Sequence, residues 1–149
     1  IIKMSADKFF STEEQKQIIS AIEVAESNTS GEIRVHVETR CKAEVVKRAE
    51  QVFTKLKMHE TQERNGILFY LATESKKFFV AGDKGIHEKV GQDFWNSIRD
   101  KMQDHFQNGN FSNGLSEGIL ECGKKLSEFF PHKGTLDKNE LSNDISTGS

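Results

Sequence analysis

The chain has 149 residues, with 21 Lys and Arg against 23 Asp and Glu and a formal charge of −2. That length can bury one core, so a single self-sufficient domain is expected. The near-neutral, slightly acidic balance argues against nucleic acid or an anionic membrane as main partner. With 35% hydrophobic and 30% charged residues the composition is globular. No apolar run approaches bilayer length, so no membrane insertion is expected. Cys41 and Cys122 lie far apart without CxxC spacing, which fits two reduced thiols in a cytoplasmic protein. The start "IIKMSADKFF" lacks a basic segment followed by an apolar one, although a removed signal peptide stays open as an alternative.

Residues 1–8 read as a flexible N-terminus, and a helix begins after Ser11, where Glu14 three positions on completes a capping box. Ile18, Ile22 and Ala25 recur at helical spacing, and "SNTSG" ends the segment. In "EIRVHVE" the apolar Ile33, Val35 and Val37 alternate with Glu32, Arg34, His36 and Glu38, the period of a strand with one polar face. From Ala43 to about Lys57 an apolar stripe predicts an amphipathic helix. "ILFYLA" is a short unbroken apolar run, which suits a central strand covered on both faces. "TESKK" reads as a hairpin turn, after which "FFVA" enters the sheet antiparallel.

Phe94, Trp95, Ile98, Met102 and Phe106 mark another helix, and Leu115, Ile119, Cys122, Leu126 and Phe129 the last, stopped by Pro131. Between them "NGNFSNG" reads as a tight connection, with Ser112 or Asn113 as cap and Phe111 plugging the core. The folded domain is thus expected over residues 9–131. Residues 132–149 are almost wholly polar and read as a disordered tail.

Strand–helix–strand crossovers are right-handed and parallel, so the first two strands begin at one sheet edge. The third returns antiparallel and ends there. Three loops should therefore meet. The first carries Glu32, the second Glu60, Glu63 and Asn65, and the third, "GDKGIHEKVG", Asp83 and Glu88. Clustered carboxylates repel and raise one another's pKa unless a cation neutralises them. Oxygen donors from flexible loops suit calcium, one or two ions, with magnesium as the alternative. For "GDKGIHEKVG" by itself a second reading stands equally: glycines supplying turns and Asp83 capping a short helix.

The runs "SGEIRVHVE", "ERNGILFYLA", "KKFFVAGDKGI" and "HFQNGNFSNGL" resemble the TPM domain family in its stand-alone bacterial form. The resemblance implies a three-layer α/β/α sandwich around a small mixed sheet of about four strands, of which three can be placed. It also implies divalent-cation binding by loops at a sheet edge, and the match falls on Glu32, Glu63 and Asp83. The chain departs from the family pattern at Arg64, where many members carry an acidic residue. Some members are described as acid phosphatases, which makes a metal-assisted acid phosphatase the alternative to a regulatory or structural metal-binding module. Neither a Cys-x5-Arg loop nor an Asp-x-Asp pair supports it. The expected partners are metal ions and an unnamed protein. His36 reads as an exposed strand residue, and His59 and His87 as solvated groups beside the carboxylate loops.

Overall fold

The computed structural model of the chain describes residues 8–132 and 143–148. Helix α1 spans Thr12–Glu26 and opens on the expected capping box. Ser11 Oγ accepts from the Glu14 amide at 3.1 Å and the Glu14 carboxylate accepts from the Ser11 amide at 2.9 Å, so two amides with no partner inside the helix are satisfied reciprocally. Strand β1 is Glu32–Glu38 and α2 is Val45–Lys55. Helix α2 is shorter than the stripe suggested because the Glu44 carboxylate caps the amides of Val46 and Lys47 at 3.1 and 3.2 Å. At its other end Lys57 turns left-handed, φ 60°, into a 3-10 turn at Met58–Glu60. Strands β2 (Gly66–Ala72) and β3 (Lys77–Gly82) form the hairpin.

"GDKGIHEKVG" proves to be a helix. Asp83 caps α3, Lys84–Val90, and Gly91 at φ 78° ends it, a left-handed conformation that glycine adopts without strain. Helices α4 (Gln92–Gln107) and α5 (Phe111–Phe129) follow. Neither Ser112 nor Asn113 caps α5, which already starts at Phe111. Instead Ser112 Oγ donates to Glu14 at 3.3 Å and Asn113 accepts from Gln17 at 2.8 Å, tying the first turn of α5 to α1.

The sheet has the order β3-β2-β1-β4. β1 and β2 run parallel from Glu32↔Gly66 to Glu38↔Ala72, and β3 returns antiparallel from Lys77 opposite Ala72 to Gly82 opposite Ile67. The fourth strand, Ser146–Gly148, pairs parallel with His36–Glu38 of β1. The reading of 132–149 as a disordered tail is thereby corrected at its end: β1 supplies an open edge, and backbone pairing needs no apolar side chains. Residues 1–7, 133–142 and 149 lie outside the described residues.

Alternation along the strands feeds two cores. Ile33, Val35 and Val37 of β1 and Ile67, Phe69 and Leu71 of β2 face α1, α4 and α5. Leu68, Tyr70 and Ala72 face α2, against Ala49, Val52 and Phe53. Every residue of β2 is buried, as its unbroken apolar run required. The architecture is a three-layer α/β/α sandwich around a four-stranded mixed sheet.

Candidate functional site

The register brings the three loops to one edge. Glu32 opens β1 opposite Gly66, Gly82 ends β3 opposite Ile67, and the Asp83 amide donates to the Gly66 carbonyl at 2.9 Å. At that edge the expected carboxylates divide. Asp83 is claimed by Arg64, whose Nε and Nη2 donate to its two oxygens at 2.7 and 2.9 Å, and by the Lys84 amide at 2.8 Å. Its neutralising cation is thus a side chain of this chain.

Arg64 reaches it from a left-handed backbone, φ 52°, which costs a non-glycine residue about 1–2 kcal/mol. Gly85 braces that turn. Its amide donates to the Arg64 carbonyl at 2.8 Å, and a Cβ there would lie 2.2 Å from the Glu63 carbonyl oxygen. Only glycine lets α3 start against this loop.

Ser30 gathers a second group. Its hydroxyl donates to Glu63 Oε2 at 3.4 Å and accepts from Asn65 Nδ2 at 3.3 Å. Asn65 is 1% exposed, and its Oδ1 is buried with no hydrogen-bond partner among the described residues. Glu32, buried at the start of β1, shares a hydrogen bond with the carboxyl of Glu26, the last residue of α1. The Glu26 carboxylate also accepts from the Ile33 amide at 2.8 Å. Burial pushes the Glu26 pKa up to about 7, against the lowering effect of the Ile33 and Glu32 hydrogen bonds.

Sequence reading missed Glu26. One signal was available: a carboxylate in the last turn of a helix opposes the helix dipole and calls for a compensating partner. Glu60 and Glu88 are exposed, and neither side chain forms a hydrogen bond or ion pair among the described residues. Among the described residues, no group of three or more His, Cys, Asp or Glu side chains stands at metal-holding spacing.

The opposite end of β1 carries a network that the sequence did not announce. Glu38 is 1% exposed, and Arg48 Nε and Nη2 both donate to it at 2.8 Å. The Tyr70 hydroxyl donates to the same carboxylate, and His36 Nε2 lies 3.1 Å from it. On its other side His36 Nδ1 meets Ser146 Oγ of β4 at 2.9 Å. His36 is therefore buried, not exposed as its alternation suggested, because Arg48, Tyr70 and β4 close over that face. Burial opposes ionisation of Glu38, yet the hydrogen bonds from Arg48, Tyr70 and His36 together hold its pKa down at about 2. Burial raises the pKa of Tyr70, with Glu38 and Cys41 adding to the effect, and lowers that of His36 against the pull of Glu38.

Both cysteines are free and buried. Burial pushes the Cys122 thiol far up, which removes it as a nucleophile. His87 is not placed on a carboxylate: its Nδ1 accepts from Trp95 Nε1 at 2.9 Å. No described helix is long and apolar enough to cross a membrane.

Comparison with solved structures supports the architecture. The chain is 47% identical to the BA42 protein of the psychrophilic bacterium Bizionia argentinensis, with TM-score 0.88 over 95% of this chain and 97% of that one. The N-terminal domain of a P. gingivalis protein superposes with TM-score 0.65 at 20% identity, covering 83% of this chain and 82% of that one. The N-terminal domain of cg2496 from Corynebacterium glutamicum gives 0.59 at 10% identity, covering 95% and 81%. The last two show the fold alone. Among curated proteins none matches. The TPM domain model matches residues 4–125, most of the chain. With the sandwich, the mixed sheet and the three-loop edge in place, the chain belongs to the TPM domain family.

Proposed function

We propose that the protein is a divalent-cation binding module, calcium first and magnesium as the alternative, with a structural or regulatory role. The observation that carries the reading is the Glu26–Glu32 pair: two carboxyls share one hydrogen bond at the loop edge, with Glu26 driven toward its protonated form. A cation would replace the shared proton and let both ionise. The buried Asn65 carbonyl oxygen, without a partner among the described residues, supports it as well, since such an atom is costly to leave unsatisfied.

The candidate donors are all oxygens and fall in two groups at this edge: the Glu26–Glu32 pair, and Glu63 with Asn65, joined through Ser30. Hard cations prefer that chemistry and softer metals do not. When bound at the pair, the ion would neutralise the carboxyls and tie the end of α1 to the start of β1. Asp83, Glu60 and Glu88 are not part of this set. The phosphatase alternative, in which a metal on the same carboxylates would activate water, has no separate observation in its favour.

Isothermal titration of calcium into chelator-stripped protein tests the proposal. Saturable heat is expected, lost in Glu26→Gln/Glu32→Gln and retained in Asp83→Asn. Neither heat nor amide shifts around Glu32 and Asn65 would end it.

A further inference from the structure

β3 forms one margin of the sheet, and no described strand pairs with its outer side. One bond fixes which backbone groups face outward. Because the Asp83 amide donates to Gly66, strand alternation turns Ala81, Phe79 and Lys77 inward toward β2 as well. The N–H and C=O groups of Phe78, Val80 and Gly82 therefore point to the open margin. Such a row is a ready template for another strand.

This margin is not bare surface. The consecutive residues Phe79 to Asp83 line an open groove of about 490 Å³ between α2 and α4. Phe53 and Glu50 stand on the α2 wall, and Trp95 and Arg99 on the α4 wall. Its charge is set by what is already spent. Asp83 is bound to Arg64, which leaves Glu50 as the other acid of the lining. Against it stands Arg99, whose guanidinium lies 5.4 Å from the Phe79 ring centroid, donates through Nη2 to the neutral Asn96 and has no hydrogen-bond partner for Nε among the described residues; exposed Lys77, outside the lining, adds a second cation at the start of the strand. His87 adds a donor. Indole N–H only donates, so His87 Nδ1 accepts from Trp95, and in the neutral ring the hydrogen sits on Nε2.

We infer that the β3 edge docks an extended acidic segment of a partner protein by strand addition. The segment's backbone pairs with Phe78, Val80 and Gly82 while its acidic side chains face Arg99 and His87. Backbone pairing supplies the affinity and the two walls select alternate side chains. This site is separate from the proposed cation site.

The probe is a capped hexapeptide of alternating Glu and Val, titrated in excess chelator. Trp95 is the single tryptophan, so its fluorescence reports on the groove directly. A saturable change is expected, together with about tenfold slower amide exchange at Phe78, Val80 and Gly82 and no change at Phe79 and Ala81. A peptide with Lys in place of Glu, and one with a central Pro, should each bind at least about tenfold more weakly. Arg99→Gln should weaken the acidic peptide about tenfold, the loss of one charge-assisted bond, at unchanged melting temperature. Equal binding of the Lys peptide, protection lacking the alternate pattern, or no saturation would overturn the inference. Concentration-dependent protection of the same amides without peptide would assign the edge to a second copy of the chain and overturn it too. None of these outcomes bears on calcium.

Discussion

Strand β1 carries a buried carboxylate at each end, and the two ends are built on opposite terms. Glu38 is enclosed by donors: a bidentate arginine, a tyrosine hydroxyl and a histidine hold its pKa at about 2. Glu32 meets another acid, Glu26, whose pKa rises to about 7. A buried charge with its counterion and hydrogen bonds in place is complete and asks for nothing more. A buried pair of acids sharing one hydrogen bond stays tolerable only by keeping a proton. The same fold therefore holds one finished polar network and one that a cation could finish. That asymmetry, not the number of acidic residues, separates the candidate site from the rest of the sheet.

The largest effect should come from breaking the finished end. Arg48→Ala leaves Glu38 buried without its main counterion, and removing one member of such a pair costs about 3 kcal/mol. A urea titration followed by circular dichroism should show that loss, and adding Glu38→Gln should recover most of it. A loss below about 1 kcal/mol would mean that water reaches Glu38, and the contrast between the two ends would fail.

Much of the fold could be read from local pattern. The Ser11–Glu14 capping box, the alternation in β1 and the unbroken run of β2 each follow from contacts within their own segment. The meeting of three loops followed from connection rules alone. What escaped were features whose partner lies on another element. His36 alternates like a solvent-facing residue, but Arg48 from α2 and Ser146 from β4 enclose it. Glu26 acquires meaning only beside Glu32, after α1 has packed on the sheet. Ser146–Gly148 has no apolar period, and the free edge of β1 makes it a strand. Asp83 was legible twice over, as a loop carboxylate and as a helix cap, and the left-handed Arg64 decided for the cap.

pH should separate the two ends by sign. Glu26 has a folded pKa of about 7 against an ordinary 4.5, so between those values the native state binds more protons than the unfolded one. Stability then falls as pH rises through that window. Glu38 is the reverse: its contribution is full above pH 4.5 and is lost as pH falls toward about 2. In excess chelator, Glu26→Gln should remove the decline between pH 4.5 and 7 and leave the acid limb alone. At pH 8 it should be more stable than wild type, on the order of 2 kcal/mol after allowing for partial exposure. Denaturant midpoints across pH measure this, and a wild-type profile flat from 4.5 to 7 would refute the strained pair.

The smallest effect tests how far the finished end extends into β4. Ser146 Oγ and His36 Nδ1 meet at 2.9 Å, and a Cβ at Gly148 would lie 3.1 Å from Glu38 Oε1 and 3.2 Å from His36 Nε2. The strand is thus seated on the same network that Arg48 neutralises. Three residues of parallel pairing are a weak hold on their own, so the hydroxyl contact should be a sizeable part of what keeps β4 in place. Ser146→Ala deletes one such bond, worth about 1 kcal/mol. Because β4 can open without unfolding the sandwich, the loss should appear locally. Amide exchange at Thr147 and Gly148 should quicken by about fivefold while the α1 and β2 amides hold their rates. If Thr147 and Gly148 exchange unchanged, backbone pairing alone retains the strand, and the polar network ends at His36.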